Sequence, residues 1–119
     1  MTKFAVAILL LALTMPARAE DTTSANFLLP GCKGYLDKKY VIPADEALLQ
    51  GLCAGFVHGF GQALAAGEHI CPPKGVTQGQ TVAVVVKYIE ARPERMHESF
   101  GKLALLALVT AWPCGDKIK

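Results

Sequence analysis

The residues of this chain best suited to chemistry are four cysteines, Cys32, Cys53, Cys71 and Cys114, and three histidines, His58, His69 and His97. A structural zinc site wants closely paired ligands, commonly Cys-x2-Cys with a second pair to match. Here the nearest approach is His69-x-Cys71, which has no second half. Neither a metal nor a cofactor site is expected. A cysteine nucleophile needs a free thiol beside a base, and an even set of four in an exported chain reads as two disulfides instead. The two serines are poor catalysts by position: Ser24 reads as a helix cap, and Ser99 stands two residues from His97. Helical side chains at that spacing do not face each other, and no acid is placed to orient His97, so no triad is expected. With no catalytic residue in view, the chain reads as a binder.

The remaining polar groups have structural readings. His58 lies in an apolar stretch beside Val57, as a core or interface histidine with a hydrogen-bonded ring would. His69 and His97 read as surface residues. Glu90, Glu94 and Glu98 recur every fourth residue with Arg92 and Arg95 between them, the pattern of a solvated, ion-paired surface. Glycines 51, 55, 59 and 61 fall inside a helical pattern, whereas a phosphate-cradling loop lies between a strand and a helix.

The start of the chain sets the compartment. Lys3, the apolar run 4–15 and Ala17-Arg18-Ala19 have the charge, hydrophobic stretch and small-x-small cleavage pattern of a signal peptide, residues 1–19. Such a run is too short to span a bilayer, which takes about 20 residues. No membrane association is expected after cleavage. The formal charge of +2 falls to zero when Lys3 and Arg18 leave and no acid goes with them. A neutral domain without a basic face is not expected to bind nucleic acid. Residues 20–119 suit one small domain, whose limited core makes covalent staples useful. Each disulfide contributes on the order of 2–4 kcal/mol.

The elements that position these groups are helical. Ser24 is placed to cap a short helix carrying Phe27, Leu28 and Leu29, which Pro30 should kink or end. Residues 45–66 form the strongest pattern: Asp45 as cap, Glu46 at the positive end of the helix, then Leu49, Leu52, Cys53, Phe56, Val57, Phe60 and Leu64 at spacings of three and four. Gly67 marks its stop. Gly51, Gly55 and Gly59 share one face at about 1 kcal/mol each relative to alanine. Close approach of another helix, within the monomer or in a dimer, would compensate. Thr77 and Gln80 fit a capping box that decides for helix over strand in residues 77–91, with Val82, Val85, Val86 and Ile89 on the inner face. Pro93 and Glu94 open a last helix to Trp112, expected to be buried on most sides from Leu103 onward. The fold class is all-α, a small bundle of about four helices stapled by two disulfides.

Four cysteines allow three connectivities. If 77–91 and 93–112 form an antiparallel hairpin, Cys114 faces the loop that holds Cys71. Cys53 lies at least two turns before the end of its helix, too far back for Cys71. The preferred pairs are Cys32–Cys53 and Cys71–Cys114.

Four further strings carry a resemblance. Gly51-Leu52-Cys53-Ala54-Gly55-Phe56 is followed by Cys71-Pro72-Pro73-Lys74-Gly75-Val76-Thr77. Arg92-Pro93-Glu94-Arg95-Met96-His97 and the closing Ala111-Trp112-Pro113-Cys114 complete the set. In this order, over about residues 31–114, the chain resembles the Rap/Tai family of periplasmic immunity proteins. The resemblance implies a small helical homodimer that binds a peptidoglycan amidase effector of type VI secretion and occludes its cleft without turnover. It carries the cysteines and glycines over as scaffold and no contact residues. Residues 40–45 and 67–74, as exposed segments, are the places to look for those. A reading from another class is a periplasmic stress or holdase-type protein that binds unfolded clients through apolar helix surface and has no cognate effector.

Overall fold

The computed structural model describes residues 21–38 and 42–115. The leader expected at 1–19, and Tyr40 and Val41 of the segment 40–45, lie outside them. Among the described residues there are four α-helices and no strand: α1 (Ala25–Asp37), α2 (Ala44–Ala66), α3 (Gln78–Glu90) and α4 (Phe100–Ala111), with a 3-10 turn at Pro93–Arg95. α1 packs most extensively on α2, and α3 on α4. Both expected disulfides are present, Cys32–Cys53 with Cα atoms 5.2 Å apart and Cys71–Cys114 at 4.8 Å.

α1 decides between two outcomes that the sequence left open. Pro30 does not end the helix, which runs on to Asp37 with the proline inside it. A mid-helix proline costs about 3 kcal/mol. Burial of Leu28, Leu29 and Cys32 along one continuous helix offsets that, each large aliphatic contributing about 1.5–3 kcal/mol. Ser24 occupies the N-cap position, yet its side chain makes no capping bond. Instead the N–H groups of Ala25 and Asn26 donate to the carbonyls of Glu98 (3.0 Å) and Met96 (2.8 Å), and Phe100 N–H donates to Thr23 O (2.8 Å). Backbone from a distant segment thus satisfies donors that a helix N-terminus leaves open.

The same exchange corrects the last helix. Residues 93–112 are not one helix but a 3-10 turn, a short irregular link through Ser99, and α4, because Met96 and Glu98 give their carbonyls to α1. Nor is α4 buried on most sides. Leu103, Ala104, Ala107 and Leu108 face inward, whereas Val109 and Ala111 are exposed.

α2 begins at Ala44 with Pro43 at its cap, so Asp45 and Glu46 both sit in the first turn, where carboxylates oppose the positive helix end. Gly67 ends it as expected, although with φ −81°. The left-handed residue is Glu68 (φ 58°). Gly31 is required for a different reason: a Cβ there would collide with the Leu49 carbonyl, so α1 and α2 touch backbone to backbone beside Cys32–Cys53. α3 opens with the Thr77 hydroxyl accepting from Gln80 N–H at 3.1 Å, and Val82, Val85, Val86 and Ile89 are buried as expected. With Val57, Phe100, Leu103 and Leu108 they make the centre of the core.

Candidate partner-binding surface

The long helix α2 separates into two sides half a turn apart. Cys53, Val57 and Leu64 are its buried residues. The opposite side presents Leu48 at 63% exposure and Leu52 at 45%. Beside them Gly51, Gly55 and Gly59 have nothing within 4 Å of where a Cβ would stand. Among the described residues no helix lies on the glycine stripe, so packing of these helices on one another is not its compensation. Between Glu46 and Glu68 the helix carries no Asp, Glu, Lys or Arg, leaving an outer face that is uncharged and open, apolar toward Leu48 and Leu52 and polar at exposed Gln62. Contiguous apolar surface of this kind marks interaction sites in soluble proteins. Among the described residues no helix is long and apolar enough to cross a membrane.

Phe56 extends this surface toward α4. It is 39% exposed, yet its ring meets Phe60 at 5.3 Å and Phe100 edge-on at 5.5 Å. Those contacts hold it as a fixed apolar ledge rather than a free side chain, since edge-to-face pairs add to simple burial.

The second exposed region is the loop from α2 to α3. Its chain is pinned twice to the end of α4, by Cys71–Cys114 and by Cys71 N–H donating to Trp112 O at 2.9 Å. Pro72 and Pro73 stiffen it further. Of the segment 67–74, only Ile70 is buried, and Pro72 is half-buried. A rigid projecting loop can enter a partner without the ordering cost that a flexible one incurs.

His58 bridges the two regions. Gln78 Nε2 donates to the Ala54 carbonyl (2.9 Å), which turns Gln78 Oε1 toward His58 Nδ1 at 3.0 Å. The oxygen can only accept, so Nδ1 donates in that bond. The ring is hydrogen-bonded as expected, on an exposed residue rather than in the core. Gln78, its partner twenty residues away, was beyond the reach of pattern reading.

The charged cluster near Pro93 is an ion-paired surface. Glu98 takes two bonds from Arg95, at 2.8 and 3.0 Å, and one ion pair from Lys102 at 3.0 Å. These bring its carboxyl down to about 2, with the Arg95 hydrogen bonds the leading cause. Arg92 lies over the Tyr88 ring at 3.7 Å, and Glu90 pairs with Lys33 at 2.8 Å. Ser24 is buried in a bridge with Ser99, whereas His97 is exposed. The described residues contain no group of three or more His, Cys, Asp or Glu able to hold a metal.

No curated protein and no solved structure matches the chain. The profile of one family, described as Rap1a immunity proteins, matches residues 24–114, a span that takes in all four helices and both disulfides. The chain belongs to the Rap1a immunity protein family.

Proposed function

We propose that this protein is exported by a cleaved signal peptide, residues 1–19, and acts in the periplasm as one 20–119 domain. There it binds a peptidoglycan amidase effector of type VI secretion and occludes its cleft, protecting the cell wall without catalysing a reaction. An immunity role comes with the family. The observation that carries the binding mode is the exposed loop 67–74, pinned to α4 by Cys71–Cys114, which stands apart from the uncharged, open outer face of α2. Two disulfides agree with an oxidising compartment.

That outer face of α2 supports a homodimer. Leu48 and Leu52 stand at one end of the stripe and Gly59 and Ala63 at the other. Two copies crossing antiparallel near residues 55 and 56 would set the leucines of each against the small residues of the other. A two-fold interface must be self-complementary in this way. With α2 so occupied, the loop 67–74 and the segment 40–45 are left for the hydrolase.

The test is capture followed by inhibition. Immobilised oxidised protein should retain one peptidoglycan hydrolase from secreted extracts, and the purified pair should show loss of amidase turnover at one-to-one stoichiometry. A hydrolase that binds but keeps its activity would sink the occlusion mechanism. Exposed Leu48, Leu52 and Val109 also favour a second reading, a holdase without a cognate effector. That reading expects many unfolded clients and no single partner.

A further inference from the structure

Away from the outer face of α2, a groove of about 630 Å³ runs along α1, bounded by the first turns of α2 on one side and by Glu90 and Met96 on the other. Its volume is in the range of small-ligand clefts. Leu29, Leu49 and Met96 supply an apolar floor. The ionisable groups that line it are Lys33, Asp37, Glu46 and Glu90. Lys33 pairs with Glu90 at 2.8 Å and also feels Asp37, so the four groups together leave the lining acidic, with Asp37 and Glu46 both exposed. Among the described residues neither has an ion pair.

Asp37 is held against its own helix. It is the last residue of α1, at the negative end of the helix dipole, and α1 has no basic residue in its last turn. A carboxylate there is disfavoured. Lys33 one turn earlier is in the weaker of the two helical orientations for such a pair and is already engaged. Pro30, also on the wall, has no N–H to give to the Asn26 carbonyl.

We infer that the groove receives an arginine or lysine side chain presented by the partner protein. The aliphatic stem would lie on Leu29, Leu49 and Met96, and the cationic head would reach Asp37 and Glu46. Long basic side chains combine an apolar stem and a charged head in this way, and guanidinium–carboxylate bonds are among the stronger hydrogen bonds available. An anionic occupant would be repelled by a lining that holds three carboxylates to one ammonium, and a neutral one would make no use of that charge. This rests on the binding role proposed above and adds the chemistry of the partner.

The test needs no effector. The exported, oxidised protein is titrated with acetyl-Leu-Arg-Leu-amide and with its citrulline counterpart, following the Met96 methyl and Gln50 side-chain amide signals by NMR. The arginine peptide should move both signals saturably, and the citrulline peptide should bind about tenfold more weakly. Asp37→Asn with Glu46→Gln should abolish that difference, whereas Glu94→Gln, outside the groove, should preserve it. Raised salt on the unaltered protein should shrink it likewise, which keeps the question open to disproof if the double variant folds poorly. Equal binding of the two peptides, unmoved signals, or a preference surviving both neutralisation and salt would overturn the groove. Failure to capture a hydrolase would overturn the immunity mechanism and leave this result standing.

Discussion

The two sides of α2 are built from similar residues and meet opposite fates. On the inner side Cys53, Val57 and Leu64 are buried, and Cys53 is bonded to Cys32. On the outer side Leu48 and Leu52 stand exposed among glycines that touch nothing. Hydrophobic burial accounts for the first side. For the second, a helix bearing three interior glycines forgoes up to about 1 kcal/mol at each relative to alanine, and no contact among the described residues offsets it. The inner side is what the fold needs, and the outer side is what the fold leaves for a partner.

The largest test of that division is the buried staple. Cys32→Ala with Cys53→Ala should lower stability by roughly 4–5 kcal/mol, about 3 from loop closure and the rest from the cavity left behind. Cys71→Ala with Cys114→Ala removes a longer loop, a separation of 43 rather than 21. Loop entropy alone would make that second pair costlier by about 0.6 kcal/mol. Cys71 is exposed, however, and leaves little cavity, so the second loss should be the smaller. Urea unfolding of the two variants decides it. If the exposed pair proves costlier, loop length rather than burial governs both staples.

Glycines give the next contrast. Gly31→Ala puts a methyl into the Leu49 carbonyl and should cost about 1–3 kcal/mol through overpacking. Gly55→Ala, with open space around it, should instead gain up to about 1 kcal/mol from helix propensity. Thermal melts at low protein concentration, where self-association is negligible, would show the opposite signs. A loss at Gly55 would mean the outer face is packed after all.

Those glycines also show where the sequence was legible. Inner positions could be read because burial imposes a period, and Val82, Val85, Val86 and Ile89 fell where a helix of that period puts them. Cys71–Cys114 followed from placing helix ends beside each other, and Cys32–Cys53 was the pair that remained. The glycine stripe could be seen but not assigned, since four-residue spacing is the same whether a helix from the monomer or from a second copy lies on it. Pro30 was left undecided by local reasoning because burial along one face of α1 offsets the bond it cannot make, and the break before Phe100 misled it for a separate cause. The carbonyls of Met96 and Glu98 cap α1 from seventy residues away, and no rule about neighbours contains that pairing. The groove beside α1 escaped notice because Asp37 and Glu46 come from different helices and share only space.

Self-association sharpens the comparison further. Gly55→Leu should leave the fold within about 0.5 kcal/mol of the parent, as surface changes usually do, while converting a dimer to a folded monomer in sedimentation. A leucine there removes the bare surface on which the second copy would lie. An unfolded product would place Gly55 in a core that the open space around it denies, and an unchanged dimer would move the interface elsewhere.

The smallest expected effect lies at neither side of α2 but at the seam that caps α1. Glu98 gives its carbonyl to Ala25 while its carboxylate is held down to about 2 by Arg95 and then Lys102, from an ordinary value of 4.5. A carboxyl with a depressed folded value stabilises the fold above its unfolded pKa and loses that contribution as pH falls through the folded one. The loss should therefore run from pH 4.5 down to about 2. Glu98→Gln removes the titration and keeps the backbone carbonyl, so its stability should fall less steeply across that window and converge with the parent near the lower end. The ion pairs are partly solvated, and such pairs contribute little at neutral pH, which is why the slope of the acid limb, not the melting point at pH 7, is the measurement to make. Parallel slopes for the two proteins would show that the seam is held by its backbone bonds alone, with the charge cluster serving only as solvated surface.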